Sequence, residues 1–245
     1  MANSGGAAVV VGGASGIGAA VVARYRSSDR EVVSWDVHDA ADVHCDVTDE
    51  GRIDAALAAT IARCADAPTE LTVTAGIGHS GLLTEITREE WDRVLAVNLT
   101  GPWLVMRAWA RYYAEQQLEA SMVATSSVSA RLVDRSMGAY CTSKAGLSMV
   151  VRIAAAEWAP LIRVNAVAPG VTATPMLGGA PVGQGWLGNV ADRTALGRLG
   201  SADDIADAVF ALHALPWVTG QVLEADGGLS LHSPINAWGE ARAPQ

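Results

Sequence analysis

Lysine is almost missing from this chain. Of its 17 Lys and Arg residues, 16 are Arg, and the one lysine is Lys144. Positive charge of any kind is scarce: against 26 Asp and Glu it leaves a net charge of -9. That balance argues against nucleic-acid or anionic-membrane binding through bulk electrostatics and says little about small substrates. Cysteine is also sparse. Cys45, Cys64 and Cys141 form an odd, widely spaced set of 3, which excludes a disulfide framework and fits a reducing cytoplasm. No apolar run is long enough to span a bilayer, and no basic segment precedes the short apolar run near the start, so neither a membrane anchor nor a signal peptide is expected. No Pro/Ser-rich linker, composition break or internal repeat divides the 245 residues, and a chain of this length that is 50% hydrophobic can bury one sizeable core. One domain over 1–245 is expected. The histidines are scattered. His44-Cys45-Asp46 is a run of adjacent residues whose side chains alternate between strand faces, which does not suit metal-ligand spacing, and no metal site is expected.

The pattern that is present alternates strands with helices. Apolar runs predict strands at Ala7–Val11, Glu31–Trp35, Val43–Cys45, Leu71–Ala75, Met122–Thr125, Arg163–Val167 and Gln221–Glu224. Helices are predicted from Ile17 to Tyr25, from the caps Thr48 and Asp49 through Arg63, from Arg88 to about Glu115 with a break near Gly101-Pro102, and around Tyr140 as far as Trp158, before Pro160. This order implies an α/β fold, a single-domain, Rossmann-like, doubly wound parallel sheet of about seven strands with helices on both faces. Ligands of such sheets sit beyond the carboxyl ends of the strands, where Asp36, Gly76 and Ser127 all fall. Residues 175–200 are glycine-rich, hard to read as regular structure, and have the character of a functional loop or lid, in which Trp186 is the candidate to face a substrate. A tail follows at about 229–245.

Two motifs carry chemistry. Gly12, Gly16 and Gly18 follow the first strand and open the first helix, so the backbone can approach a phosphate-bearing ligand and the helix presents its N-terminal amides to the negative charge. Eighteen residues beyond Gly18, Asp36 ends the second strand. A carboxylate there accepts from an adenosine ribose 2′-hydroxyl and repels a 2′-phosphate, and no cation at Ala14-Ser15 or Val37-His38 offsets it. NAD(H) is expected over NADP(H). Farther on, Tyr140 and Lys144 lie four residues apart, one turn of a helix and the same face. An ammonium beside a phenol, whose reference pKa is about 10, favours the phenolate and draws that pKa toward neutrality. Arg is no substitute for a compact point charge, so the retention of Lys144 at this one place is itself informative.

With Asn98 in V-N-L-T-G and the G-G-A-S-G-I-G turn, this set resembles the short-chain dehydrogenase/reductase family over roughly residues 5–230. The resemblance implies hydride transfer between a nicotinamide and a secondary alcohol or ketone. It implies Tyr140 as general acid/base, Ser127 orienting the substrate oxygen, Lys144 lowering the tyrosine pKa and binding the nicotinamide ribose, and Asn98 perturbing its helix and holding a water that links the lysine to solvent. Ser126 and Ser129 compete with Ser127; the offset of thirteen residues to Tyr140 favours Ser127. The cofactor is expected on Gly12, Ser15, Gly16, Ile17, Gly18 and Asp36, with Asp46 and Val47 at the adenine and Thr74, Ala75 and Gly76 on the ribose side. Pro169, Thr172 and Thr174 belong to a turn that resembles the family's carboxamide-binding segment. Val11 stands where the family commonly has Thr, and Val73-Thr74-Ala75-Gly76 replaces Asn-Asn-Ala-Gly; Thr74 is the residue able to supply part of the lost bracing. The family also implies a homotetramer or homodimer built through residues 91–117 and 148–158. An alternative is an NADPH-dependent 3-oxoacyl-thioester (acyl carrier protein) reductase, which A-L-G-R-L-G-S-A-D-D-I-A-D-A-V and the late V-T-G-Q-V-L-E-A-D-G-G resemble; Asp36 opposes it. A second is a non-catalytic dinucleotide-binding regulatory protein, which the intact Asn98, Ser127, Tyr140 and Lys144 oppose.

Overall fold

The computed structural model describes residues 6–178 and 185–231. The central part of the expected lid, 179–184, and the tail from 232 onward lie outside the described residues. The elements run β1 (Ala8–Val11), α1 (Gly16–Ser27), β2 (Val32–Asp36), β3 (Val43–His44), α2 (Glu50–Arg63), β4 (Glu70–Val73), α3 (Arg88–Leu95), a π-helical turn (Ala96–Thr100), α4 (Gly101–Gln116) and β5 (Ala120–Thr125). They continue through α5 (Gly138–Trp158), β6 (Ile162–Pro169), β7 (Thr172–Ala173), α6 (Pro175–Gly178), α7 (Trp186–Arg193), β8 (Gly200–Ser201), α8 (Ala202–Ala214) and β9 (Val222–Ala225).

Seven strands form one sheet in the order β3-β2-β1-β4-β5-β6-β9, every neighbouring pair parallel. The period of two along β1 shows how two cores arise from one strand. Val9 and Val11 face α2, α4 and α5, where Ile53, Trp109 and Leu147 pack, while Ala8 and Val10 face Val21 and Val22 of α1 and Ile205 and Val209 of α8. A strand covered on both sides must be apolar throughout, which is the pattern of Ala8–Val11.

Helix starts follow their side chains. Asp49 caps α2 by accepting from Arg52 N–H, Thr87 and Glu90 form a reciprocal box at α3, and Ser201 and Asp204 form another at α8. The break expected near Gly101-Pro102 falls instead at Ala96–Thr100; Pro102 sits in the first turn of α4, where its missing N–H costs no helical bond. The described residues of 175–200 are also more regular than expected, holding α6 and α7 and ending at β8, which pairs with β7 just ahead of the segment. Glycines at 185, 188 and 197 obscured the apolar spacing of Trp186, Leu187 and Val190 on α7.

At the amino-terminal end of the sheet, His213 of α8 is buried with both ring nitrogens engaged, Nε2 with Thr72 Oγ1 (3.0 Å) and Nδ1 with Ser121 Oγ (2.9 Å). Glu70, Arg163 and Arg30 are the charged groups around it; Glu70 accepts from Tyr25 OH (2.6 Å) and from Arg30 (3.0 Å). Burial pulls His213 down from 6.5 to about 4. Between those values the unfolded chain binds a proton that the folded chain refuses, so stability falls as pH drops through that window. Glu70, held below its ordinary value, adds to the loss at still lower pH. Urea midpoints are expected to decline from about pH 6.5 downward, and His213→Gln should flatten that decline; an unchanged slope in the variant would assign the acid sensitivity elsewhere.

Candidate active site

The glycine turn after β1 is held from below. Gly12 has φ +83, and a Cβ there would lie 2.6 Å from Ala75 N and 2.7 Å from Thr74 Oγ1. A Cβ on Gly18 would collide with the Gly12 carbonyl oxygen. Turn and helix start therefore pack backbone to backbone, leaving no room for any other residue. Thr74 Oγ1 donates to the carbonyls of Val11 (2.9 Å) and Gly12 (3.1 Å), the bracing expected of it. Ser15 caps α1 with extended backbone, and its exposed hydroxyl makes no cap bond; Ile17 follows in the first turn. Asp36 turns back toward this loop: Oδ2 accepts from Ala14 N–H (3.1 Å) and Oδ1 from His38 N–H (3.2 Å). Thr174, beyond β7, lies against Gly16, where a Cβ would sit 3.5 Å from it, so the Pro169–Thr174 segment covers the turn from the other side. Within that segment Thr172 Oγ1 donates to Gly170 O (3.1 Å) and Thr174 Oγ1 to Thr172 O (3.4 Å). Asp46 and Val47 are placed differently. Asp46 accepts from Thr48 backbone and hydroxyl, and Val47 is buried against Gly101 at the start of α4.

Gly76 links this cradle to the second cluster. A Cβ on it would lie 3.3 Å from Asn98 Oδ1 and 3.4 Å from Lys144 Nζ. Asn98, fully buried in the π turn, clasps Ile77: Oδ1 accepts from Ile77 N–H (2.8 Å), and Nδ2 donates to Ile77 O (2.9 Å) and to Ser143 Oγ (3.3 Å). Ser143 Oγ in turn donates to the carbonyl of Tyr140 (2.7 Å). A π turn marks a helix bent around an inserted feature; here the backbone yields so that the Asn98 amide reaches the loop after β4.

Tyr140 and Lys144 sit one turn apart on α5, with Lys144 Nζ 5.8 Å from the Tyr140 ring centroid. Ser127, 8% exposed, is the hydroxyl beside Tyr140, and its Oγ accepts from Ser129 N–H (3.1 Å). The expected depression of the Tyr140 phenol by Lys144 is not what these side chains produce. Burial raises the Tyr140 pKa, and the opposing influence is the Ser127 hydroxyl. Lys144 is itself 3% exposed, donates to the Thr125 carbonyl (2.8 Å), and is pulled by burial from 10.5 down to about 8. Its proton is aimed at a backbone oxygen, and burial disfavours charge on both partners. Ser126 is 2% exposed and bonds to α5 rather than facing Tyr140. Ser129 donates instead to Asp134 (2.5 Å). Arg131 pairs with Glu224 (3.0 Å). Trp109 is in the core and Trp103 lies under Arg107, while Trp186 opens α7 half-buried. Sequence reasoning missed Ser143; its place between Tyr140 and Lys144 was a usable signal.

A parallel doubly wound sheet with a glycine turn, a strand-end carboxylate and a Ser-Tyr-Lys group whose serine and lysine are buried defines a dinucleotide-dependent oxidoreductase class. A family model described as enoyl-(acyl carrier protein) reductase matches residues 2–230. Momilactone A synthase of Oryza sativa subsp. japonica is 36% identical over 251 residues, covering 91% of this chain and 89% of its own. Cis-4-hydroxycyclohexanecarboxylate dehydrogenase of Sinomonas cyclohexanicum is 32% identical over 240 residues, covering 90% and 95%. Among solved structures, ligand-free aldohexose dehydrogenase of Thermoplasma acidophilum superposes with a TM-score of 0.87 at 28% identity, covering 95% of this chain and 96% of that one. The chain belongs to the short-chain dehydrogenase/reductase family and is an oxidoreductase of that type. No helix among the described residues is long and apolar enough to cross a membrane.

Proposed function

We propose that the protein is a cytoplasmic NAD(H)-dependent dehydrogenase that acts on a secondary alcohol or the matching ketone. The observation that carries this reading is Ser127 set against Tyr140 with Lys144 one helical turn on, its Nζ beside Gly76, one loop away from a glycine turn that only backbone can fill. The cradle formed by Gly12, Gly16 and Gly18 suits a pyrophosphate, because the first-turn amides of α1 have no carbonyl partners within the helix. Asp36, which accepts from Ala14 N–H at the lip of that cradle, would accept from a ribose 2′-hydroxyl. Ser15, Ile17, Thr74 and Ala75 would line the ribose and phosphates, Asp46 and Val47 the adenine, and Pro169, Thr172 and Thr174 the carboxamide.

When bound, a nicotinamide ring supplies the hydride donor or acceptor. Tyr140 exchanges the hydroxyl proton of the substrate, Ser127 Oγ orients and polarises the same oxygen, and Lys144 would hold the nicotinamide ribose beside them. Asn98 keeps the loop after β4 in register with α5. A relative named for a hydroxycyclohexanecarboxylate favours a ring-borne secondary hydroxyl as substrate. Exposed Met149 and Ile153 of α5 and Trp103 of α4 support assembly through these helices, with a homotetramer or homodimer as the product. The second reading remains the acyl-thioester reductase, favoured by the A-L-G-R-L-G-S-A-D-D-I-A-D-A-V and V-T-G-Q-V-L-E-A-D-G-G segments; the matching family model is described for an enoyl group on acyl carrier protein, a different bond from its 3-oxo group.

The test is binding of NADH and NADPH, read by tryptophan fluorescence, followed by a panel of secondary alcohols and ketones with the preferred cofactor. Tight NADH and weak NADPH support the first reading; preference for NADPH moves the acyl-thioester reductase to first place. Asp36→Ser is expected to narrow or reverse the NADH preference by about 10-fold or more, since a like charge opposite a 2′-phosphate costs on the order of 1–3 kcal/mol. Unchanged discrimination would remove Asp36 from the cofactor site.

A further inference from the structure

Ser126 lies between two residues that already have work at the site, yet it points away from them. Neighbours on an extended chain face opposite sides. Ser127 faces Tyr140, whereas Ser126 Oγ donates to the main-chain carbonyl of Lys144 (3.1 Å) and shares a hydrogen bond with Ser148 Oγ (2.8 Å). One residue earlier, the Thr125 carbonyl accepts from Lys144 Nζ (2.8 Å). Consecutive residues at the end of β5 thus hold the two ends of a single lysine. The backbone of Ser126 is fixed in turn, its N–H donating to Val167 O of β6 (2.7 Å).

Ser148 Oγ, whose single proton goes either to Ser126 Oγ or to this carbonyl, makes the second contact with the Lys144 carbonyl, a bond of 2.9 Å. That bond runs within α5 and moves with the helix. The Ser126 bond crosses from sheet to helix, so it alone of the two fixes the height of the Lys144 turn against β5. A lysine carries four freely rotating side-chain bonds; placing its ammonium reproducibly requires that the backbone beneath it be fixed as well.

We propose that Ser126 is a positioning residue for the reaction, locking the main chain of Lys144 to the end of β5 so that the ammonium stays on the Thr125 carbonyl beside Gly76. The rate consequences of this role rest on the reading of function above; the placement of the lysine does not.

The chain has one lysine, so protein grown with ¹³Cε-lysine gives a single side-chain resonance, that of Lys144. In the parent it is expected to titrate near 8. In Ser126→Ala the turn loosens and water reaches the ammonium, so the midpoint should rise by about half a unit or more toward the ordinary amine value, and kcat should fall about 10-fold with its pH profile displaced. Ser121→Ala serves as the comparison: Ser121 is a buried hydroxyl on the same strand, facing His213. Its loss should lower stability and leave both the lysine midpoint and kcat alone. A Ser126→Ala protein that loses stability as Ser121→Ala does, with an unmoved lysine midpoint, would overturn the proposal. Should the parent show no turnover with any alcohol or ketone, the reading of function fails, and the lysine midpoint still decides the role of Ser126.

Discussion

With phenylalanine in place of Tyr140, turnover is expected to drop roughly 10³-fold while NADH binds within about threefold of the parent affinity, the range expected for removal of a positioned acid/base. The ring is retained, so the packing of α5 against Ser127 and the lysine turn is undisturbed. What disappears is one hydroxyl, the group able to take or give the substrate's proton. Because burial raises the Tyr140 pKa, the parent site is primed as an acid, with its proton in place for ketone reduction. In the direction of alcohol oxidation it depends on positive charge arriving nearby, so kcat for oxidation should climb with pH more steeply than kcat for reduction. Fluorescence titration with NADH and steady-state rates in both directions check this. A variant that keeps full turnover would exclude Tyr140 from proton transfer, and one that loses NADH binding would show that the ring, not the hydroxyl, was the necessary part.

Lys144→Met should abolish useful turnover, by roughly 10³-fold or more, and at the same time stabilise the fold. The sign follows from burial. A lysine whose pKa stands near 8 instead of 10.5 carries a penalty for its charged form at neutral pH. A displacement of that size corresponds to roughly 3 kcal/mol, from which the lost hydrogen bond to Thr125 subtracts about 1–2 kcal/mol. Between pH 8 and 10.5 the unfolded chain holds a proton the folded chain has released, so the parent gains stability with rising pH and the advantage of the methionine shrinks. Urea midpoints at pH 7 and pH 10.5 measure it. A methionine variant less stable than the parent at both values would show that the ammonium contributes to holding the fold. The expected result is instead the common conflict in which a site needs a group that the core would reject.

How much of this was visible in the sequence depends on how local each signal is. The glycine turn, Asp36 and the Tyr140–Lys144 spacing were legible because each is a statement about one strand end or one helical turn. So was the cap at Asp49. The box at Ser201 and Asp204 was equally available in S-A-D-D, but no helix was drawn there. Helix α7 was hidden by its glycines. The position of the helix break was misjudged because proline is the louder local feature, whereas the π turn answers to Asn98 reaching Ile77 across the fold. The phenol's pKa was misjudged for a related reason: adjacency on a helix says that two groups are neighbours, but the direction of a lysine's proton and the depth of burial are tertiary facts. The roles of Ser126 and His213 have no sequence signature at all, since each is defined by an acceptor on another element.

The parallel sheet has a kinetic corollary. With no hairpin anywhere in it, β1 meets β4 only after α1, β2, β3 and α2 have been threaded between them. Pairings that close such long loops are slow to form. The glycine turn is completed by that very pairing, because Thr74 and Ala75 at the end of β4 are what Gly12 rests on. Nucleotide binding during refolding from denaturant should therefore lag behind the recovery of helical signal, making NADH capture a reporter of the last long-range contacts to assemble.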